Sequence, residues 1–156
     1  MSFQADALDI ELLTRLRDDG RASVTALAEQ LPLSRSAIHQ RLERLREAGV
    51  LRGFSPVVDS RKLGLGIAAV VLLSAGPGTT LDWETVRAGV LALPHVEYAA
   101  LMTGEADVLL LVRVADFEEL RGFLLEEIRR LTGARGTLTS LVLDEVVRRP
   151  FLLPGD

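Results

Sequence analysis

The chain has 156 residues, 48% of them apolar, no cysteine and a formal net charge of -4. That length suits one large domain or two small ones with a core that needs no covalent staples, and the missing cysteines exclude disulfides, thiolate zinc sites and thiol nucleophiles. The first residues lack the basic-then-apolar pattern of a signal peptide, and the longest apolar run, residues 67–73, is too short to span a bilayer, so the sequence reads as a soluble, cytoplasmic protein with no membrane partner.

Charge is unevenly spread. Residues 1–62 carry 10 basic and 9 acidic side chains, a net of +1, whereas residues 63–156 carry 8 and 13, a net of -5. Within residues 33–62 the balance is 7 basic to 3 acidic. A local positive segment in an acidic chain is the footprint expected of a nucleic-acid-binding element.

Three helices come first. Leu8, Leu12, Leu13 and Leu16 recur at helical spacing, and Asp19-Gly20 stops the run. Ser23 caps a short second helix through Leu27, Ala28 and Leu31. Pro32-Leu33-Ser34 is a turn, and Ser34 caps a third helix that buries Ala37, Ile38, Leu42 and Leu45 and ends near Ala48, with Gly49 at the C′ position. Residues 50–59 read as a linker with one or two short strands, which would make the unit winged-helix-like. The composition changes near residues 60–65, so the predicted domains are 1–60, a helix-turn-helix with its linker strand, and 61–156, an α/β domain.

The second half reads β-α-β-β-α-β, a ferredoxin-like sandwich, which makes the whole chain α+β. The expected strands are residues 67–75, 95–102, 107–114 and 135–147. Gly76-Pro77-Gly78 breaks the first. A helix over residues 82–93 carries Val86, Val90 and Leu93 on one face and stops at Pro94. A second helix, capped by Asp116 with Glu119 at capping-box spacing, presents Phe117, Leu120, Leu124, Ile128 and Leu131 and closes at Gly133. Because the sheet is apolar on both faces, a homodimer packed sheet against sheet is the economical cover.

A helix, a short helix, a turn and a basic third helix make a helix-turn-helix pattern. Its start offers Ser34, Arg35, Ser36, His39 and Gln40 to base edges in the major groove of double-stranded DNA. Arg41, Arg44 and Arg46 lie further along and suit phosphates, which position without specifying. The competing reading is a solvated face on which these arginines pair with Glu43 and Glu47.

Other chemistry is poorly represented. The two histidines, His39 and His95, fall in different predicted domains, so neither a histidine metal site nor a Ser-His-Asp triad is expected. Gly64-x-Gly66 and Gly76-x-Gly78 match no phosphate loop. Trp83 reads as packing. No catalytic residue, metal or cofactor is expected.

The order and spacing of several short stretches resemble the Lrp/AsnC (leucine-responsive, or feast/famine) family of transcriptional regulators. They are Leu8-Asp9, Leu12-Leu13, Leu16, Asp19-Gly20-Arg21, Leu27-Ala28, Leu33-Ser34, the run from Arg41 to Phe54, Leu93-Pro94-His95-Val96, Thr103-Gly104-Glu105-Ala106-Asp107, Gly133-Ala134, Thr137 and Thr139. The resemblance implies a sequence-specific DNA-binding regulator, not an enzyme. It implies a dimer that can assemble into tetramers or octamers, and a small-molecule effector, commonly an amino acid, held between subunits. Carried onto this chain, the effector residues are Thr103, Gly104, Glu105, Ala106, Asp107, Thr137 and Thr139; Ala106 stands where an aromatic is common. A turn glycine exposes backbone N–H groups to a carboxylate, while acids and hydroxyls can hold an ammonium. On the competing reading Gly104 is a hairpin residue and Asp107 caps backbone donors. Two alternatives share the architecture: a sirohaem-decarboxylase-like enzyme, which would be richer in histidine and aromatics, and a sensing or oligomerising module without DNA binding.

Overall fold

The computed structural model describes residues 3–75, 82–128, 136–147 and 150–156. The chain forms two compact units, one of Met1–Val57 with Val146–Asp156 and one of Val58–Glu145. The two units meet in sequence at Val57 and Val58, and the C-terminal segment groups with the first unit and not the second.

In the first unit, α1 (Ala7–Asp18), α2 (Val24–Gln30) and α3 (Arg35–Glu47) are set by their caps. The side chains of Asp6, Ser23 and Ser34 accept from the N–H groups of Asp9, Ala26 and Ala37, so each helix starts where an orphan donor finds an oxygen. Asp6 and Asp9 form a reciprocal capping box. Gly49 ends α3 at φ +70°, a left-handed conformation that glycine adopts without strain. Leu12, Leu16, Leu27, Ile38 and Leu45 make the core, and Leu51 and Leu153 pack onto it. Residues 50–59 contain no strand, contrary to the winged expectation. Val57 and Val58 are exposed there, and a lone strand without a partner has no ladder to join.

The second unit is a four-stranded antiparallel sheet of β1 (Ile67–Ser74), β2 (Val96–Leu101), β3 (Val108–Val114) and β4 (Gly136–Leu141), in the order β2-β3-β1-β4. The helices are α4 (Trp83–Val90) and α5 (Phe117–Gly122). This is the ferredoxin-like arrangement anticipated from the β-α-β-β-α-β order. Ala69, Val71, Leu73, Val108, Leu110 and Val112 point to one face and meet Val86, Leu120, Phe123 and Ile128 from the helices. α5 runs into a π-helical turn, Phe123–Glu127, in which the Ile128 N–H donates to the Phe123 carbonyl. The wider turn places Phe123 and Ile128, five apart, in the same core, a spacing that a 3.6-residue period does not favour. Phe117, expected on the buried face, is instead exposed as the first residue of α5. The expected closure at Gly133, the Leu131 contact and the Gly76-Pro77-Gly78 break lie outside the described residues. β4 covers Gly136–Leu141, shorter than the strand anticipated over residues 135–147.

Candidate nucleic-acid interface and effector site

The start of α3 is a compact polar surface. Ser34, Arg35, Ser36, His39 and Gln40 are all exposed, while Ile38, Leu42 and Leu45 on the opposite face are buried. Ser34 is committed to capping: its Oγ accepts from Ala37 N at 3.2 Å and lies 2.9 Å from Ser36 Oγ. Arg35, Ser36, His39 and Gln40 project from the first two turns, where the helix dipole also favours an anion.

Arg41 and Arg44 have a different environment from the free phosphate contacts anticipated for them. Arg41 Nη1 lies 2.7 Å from Asp6 Oδ2 and 2.7 Å from Asp9 Oδ1. Arg44 Nη2 donates to Asp9 and stands 3.6 Å from Asp6 Oδ2, and its guanidinium sits over the Phe3 ring at 5.6 Å from the centroid. Asp9 is wholly buried. The Arg41 hydrogen bond, helped by the Asp9 backbone N–H, holds the Asp6 carboxyl down at about 2. Asp6 raises the Arg41 guanidinium in return. Arg46 pairs with Glu43 at 2.6 Å. Sequence reasoning missed the role of Asp6 and Asp9, although their three-residue spacing is a capping-box signal.

The effector candidates gather around the end of β1. The Thr103–Asp107 turn closes the β2–β3 hairpin, and Gly104 has φ +130° with open space where a Cβ would stand. Conformation, not volume, therefore restricts this position. Asp107 N donates to Leu73 O at 2.9 Å, and Asp107 Oδ2 accepts from Ala75 N at 2.6 Å. Ser74 Oγ donates to Glu105 O at 3.0 Å. Across β1, register pairs Leu73 with Thr137 and Val71 with Thr139. The turn and the start of β4 thus flank the same two residues at the end of β1, Leu73 and Ser74. Asp107 caps a backbone donor, as the competing reading of the sequence held. Ser74 escaped notice because its partner is 31 positions away. Ala106 is half-buried, whereas Thr103 and Glu105 are exposed. An open groove of 310 Å³ lined by Trp83, Arg87, Leu91, Val96 and Tyr98 lies elsewhere and includes none of these residues.

The other sheet face carries Val70, Leu72, Leu109 and Leu111, together with exposed Tyr98 and Leu138. Arg113 marks its end: it donates to Glu97 and pairs with Glu145 at 2.7 Å, which holds the Glu145 carboxyl below its usual range.

Residues 68–152 match the Lrp/AsnC ligand binding domain, and residues 6–46 match the AsnC-type helix-turn-helix domain. The chain belongs to the Lrp/AsnC family. It is 33% identical to the HTH-type transcriptional regulator AldR of Mycolicibacterium smegmatis, over 90% of this chain and 82% of that one. It is 31% identical to the leucine-responsive regulatory protein of Haemophilus influenzae, over 95% and 89%. A transcriptional regulator from Neisseria meningitidis, crystallised as an L-Met complex, superposes with a TM-score of 0.82 at 27% identity, covering 96% of this chain and 97% of that one. This Lrp/AsnC protein is accordingly a transcriptional regulator with a DNA-binding helix-turn-helix and a ligand-binding domain. Among the described residues no helix is long and apolar enough to cross a membrane.

Proposed function

We propose that this regulator binds double-stranded DNA as a homodimer, reading bases with Arg35, Ser36, His39 and Gln40 at the start of α3, and that an amino acid bound between subunits tunes it. One observation carries the DNA reading: the first two turns of α3 expose a continuous polar surface, while the arginines further along, Arg41, Arg44 and Arg46, are engaged in ion pairs. Ser34 holds the helix end. Arg41 and Arg44 are positioning residues before they are phosphate contacts.

The apolar sheet face supports the dimer. Val70, Leu72, Leu109 and Leu111 lie on it in register, away from both helices, and a second copy of the same face would cover them. Further assembly to tetramers or octamers belongs to the same reading.

For the effector, the L-Met complex of the Neisseria relative supports an amino acid. The convergence of Thr103, Gly104, Glu105, Ala106, Asp107, Thr137 and Thr139 on the end of β1 supports a site there. The turn would present N–H groups to the carboxylate, and Glu105 is free to face the ammonium because Asp107 already holds Ala75. An effector acts only by binding two assembly or DNA-bound states unequally.

The test is a gel-shift titration on duplexes from the chain's own upstream region and on a random duplex, with and without each of the twenty amino acids. Ser36→Ala, His39→Ala and Gln40→Ala should each cost roughly 1–3 kcal/mol on the preferred site alone. Equal losses on both duplexes would remove the base-reading assignment. An amino acid whose effect survives Gly104→Val unchanged would move the effector site away from the turn.

A further inference from the structure

The helix that carries the DNA-reading side chains also carries two arginines neutralised by α1. Arg41 and Arg44 face Asp6 and Asp9, two positive charges against two negative ones. The two carboxylates have different reasons to be there. Asp9 is wholly buried and needs a cation, since a buried unpaired charge is costly. The Asp6 side chain is 48% exposed, so burial does not demand a partner for it.

Nor does helix capping demand the Asp6 charge. Its Oδ1 accepts from Asp9 N at 2.9 Å, which an asparagine oxygen does equally well. Yet both Asp6 oxygens turn onto Arg41 Nη1, at 2.8 and 2.7 Å. The charge at position 6 therefore does something that neither the cap nor the core requires. The consequence lies in phosphate attraction. That attraction is sequence-independent, and its strength follows the number of cationic groups free to displace counterions. An arginine held by a carboxylate on its own domain is not free in this sense.

We infer that Asp6 is a positioning residue that sets the sequence-independent share of DNA affinity, by holding Arg41 and Arg44 on the protein and cancelling one positive charge per subunit. The inference rests on the reading of α3 as the DNA-recognition helix. Base contacts by Ser36, His39 and Gln40 then operate against a deliberately low phosphate background, in a segment whose raw composition is strongly basic.

The experiment compares the full-length chain with Asp6→Asn and with Glu29→Gln, a charge-matched control at an exposed position on α2. Affinity for a random duplex and for the preferred duplex is measured from 50 to 200 mM salt, with circular dichroism as a check on folding. Asp6→Asn should steepen the slope of log affinity against log salt by about 0.9 per subunit, equivalent to roughly threefold to fourfold across that salt range. Both duplexes should gain equally at low salt, and Glu29→Gln should change the slope less. An unchanged slope in Asp6→Asn, with the wild type still selecting its preferred duplex, overturns the role of Asp6 alone. An equal change in both variants reduces the effect to net charge and overturns it as well. A wild type with no preference for any duplex overturns the recognition reading and the Asp6 inference together.

Discussion

Asp9 has no exposure to solvent, and Arg41 Nη1 lies 2.7 Å from its Oδ1. The pair ties the first turn of α1 to the middle of α3, so α3 is oriented by charge as well as by its buried Ile38, Leu42 and Leu45. Asp9 serves three donors: its Oδ2 accepts from Asp6 N at 3.0 Å and from Arg44, and its Oδ1 accepts from Arg41. Asp9→Ala should destabilise the first unit by about 2–3 kcal/mol. That is below the cost of breaking a fully buried pair, because Arg41 and Arg44 still reach solvent. Urea denaturation followed by circular dichroism checks it; a loss under 1 kcal/mol would mean the leucine core alone fixes α3.

Acid should act on the neighbouring carboxyl. Arg41 holds Asp6 at about 2, well below its ordinary value. A folded-state value lower than the unfolded one contributes stability that is complete above about pH 4 and is lost as pH falls towards 2. Thermal melts from pH 5 to pH 2 should show the first unit losing stability in that window, and Asp6→Asn should flatten this part of the profile. An identical pH profile in the variant would assign the acid loss to other carboxylates.

The legible and the hidden parts of this molecule differ in a physical way. Ser23, Ser34 and Asp116 announced helix starts, because a cap acts within three residues of the backbone it satisfies. The near-continuous apolar runs of β1 and β3 announced a sheet apolar on both faces. Asp9 with Arg41, and Ser74 with Glu105, were invisible because separations of 32 and 31 residues carry no local period. Phe123 was missed because the π-helical turn breaks the spacing by which Leu120, Leu124 and Ile128 had been assigned to one face. For Arg41 and Arg44 the sequence offered phosphates or the neighbouring Glu43 and Glu47, because Asp6 and Asp9 lie 35 and 32 residues before Arg41.

The uncovered sheet face makes a prediction of its own. Leu111 sits at its centre, paired with Val70 on one side and Tyr98 on the other. If two copies pack through this face, Leu111→Glu places an unpaired carboxylate in the interface. That should weaken the dimer by about 3 kcal/mol, more than a hundredfold in dissociation constant. Sedimentation equilibrium over a micromolar range would detect it. A wild-type monomer at these concentrations, or an unaffected variant, would place the contact elsewhere.

The segment 150–156 closes on the first unit through three kinds of contact. Leu153 packs against the helical core, the Arg17 guanidinium lies over Phe151 at 5.8 Å, and Arg17 Nη1 and Nη2 reach the Asp156 carboxylate at 2.5 and 3.1 Å. A turn through Pro154 and Gly155, with Gly155 at φ +93°, returns the Asp156 side chain towards Leu153, whose N–H donates to it at 2.7 Å. The segment is therefore part of the first unit, although residues 150–152 fall within the stretch that matches the ligand-binding domain. Leu153→Ser removes an apolar side chain that is only partly buried, which should cost about 1 kcal/mol and lower the melting midpoint of that unit by about 4–8 °C. Arg17→Gln should lower it in the same direction. Combined with Asp156→Asn, the loss should be smaller than the sum of the two single losses, because the variants share the Arg17–Asp156 interaction. Hydrogen exchange locates the effect: amides in the last turn of α1 should exchange faster in all three variants, and those of β1 and β3 should not. Unchanged protection of α1 in Leu153→Ser would show that the helices hold themselves without the segment.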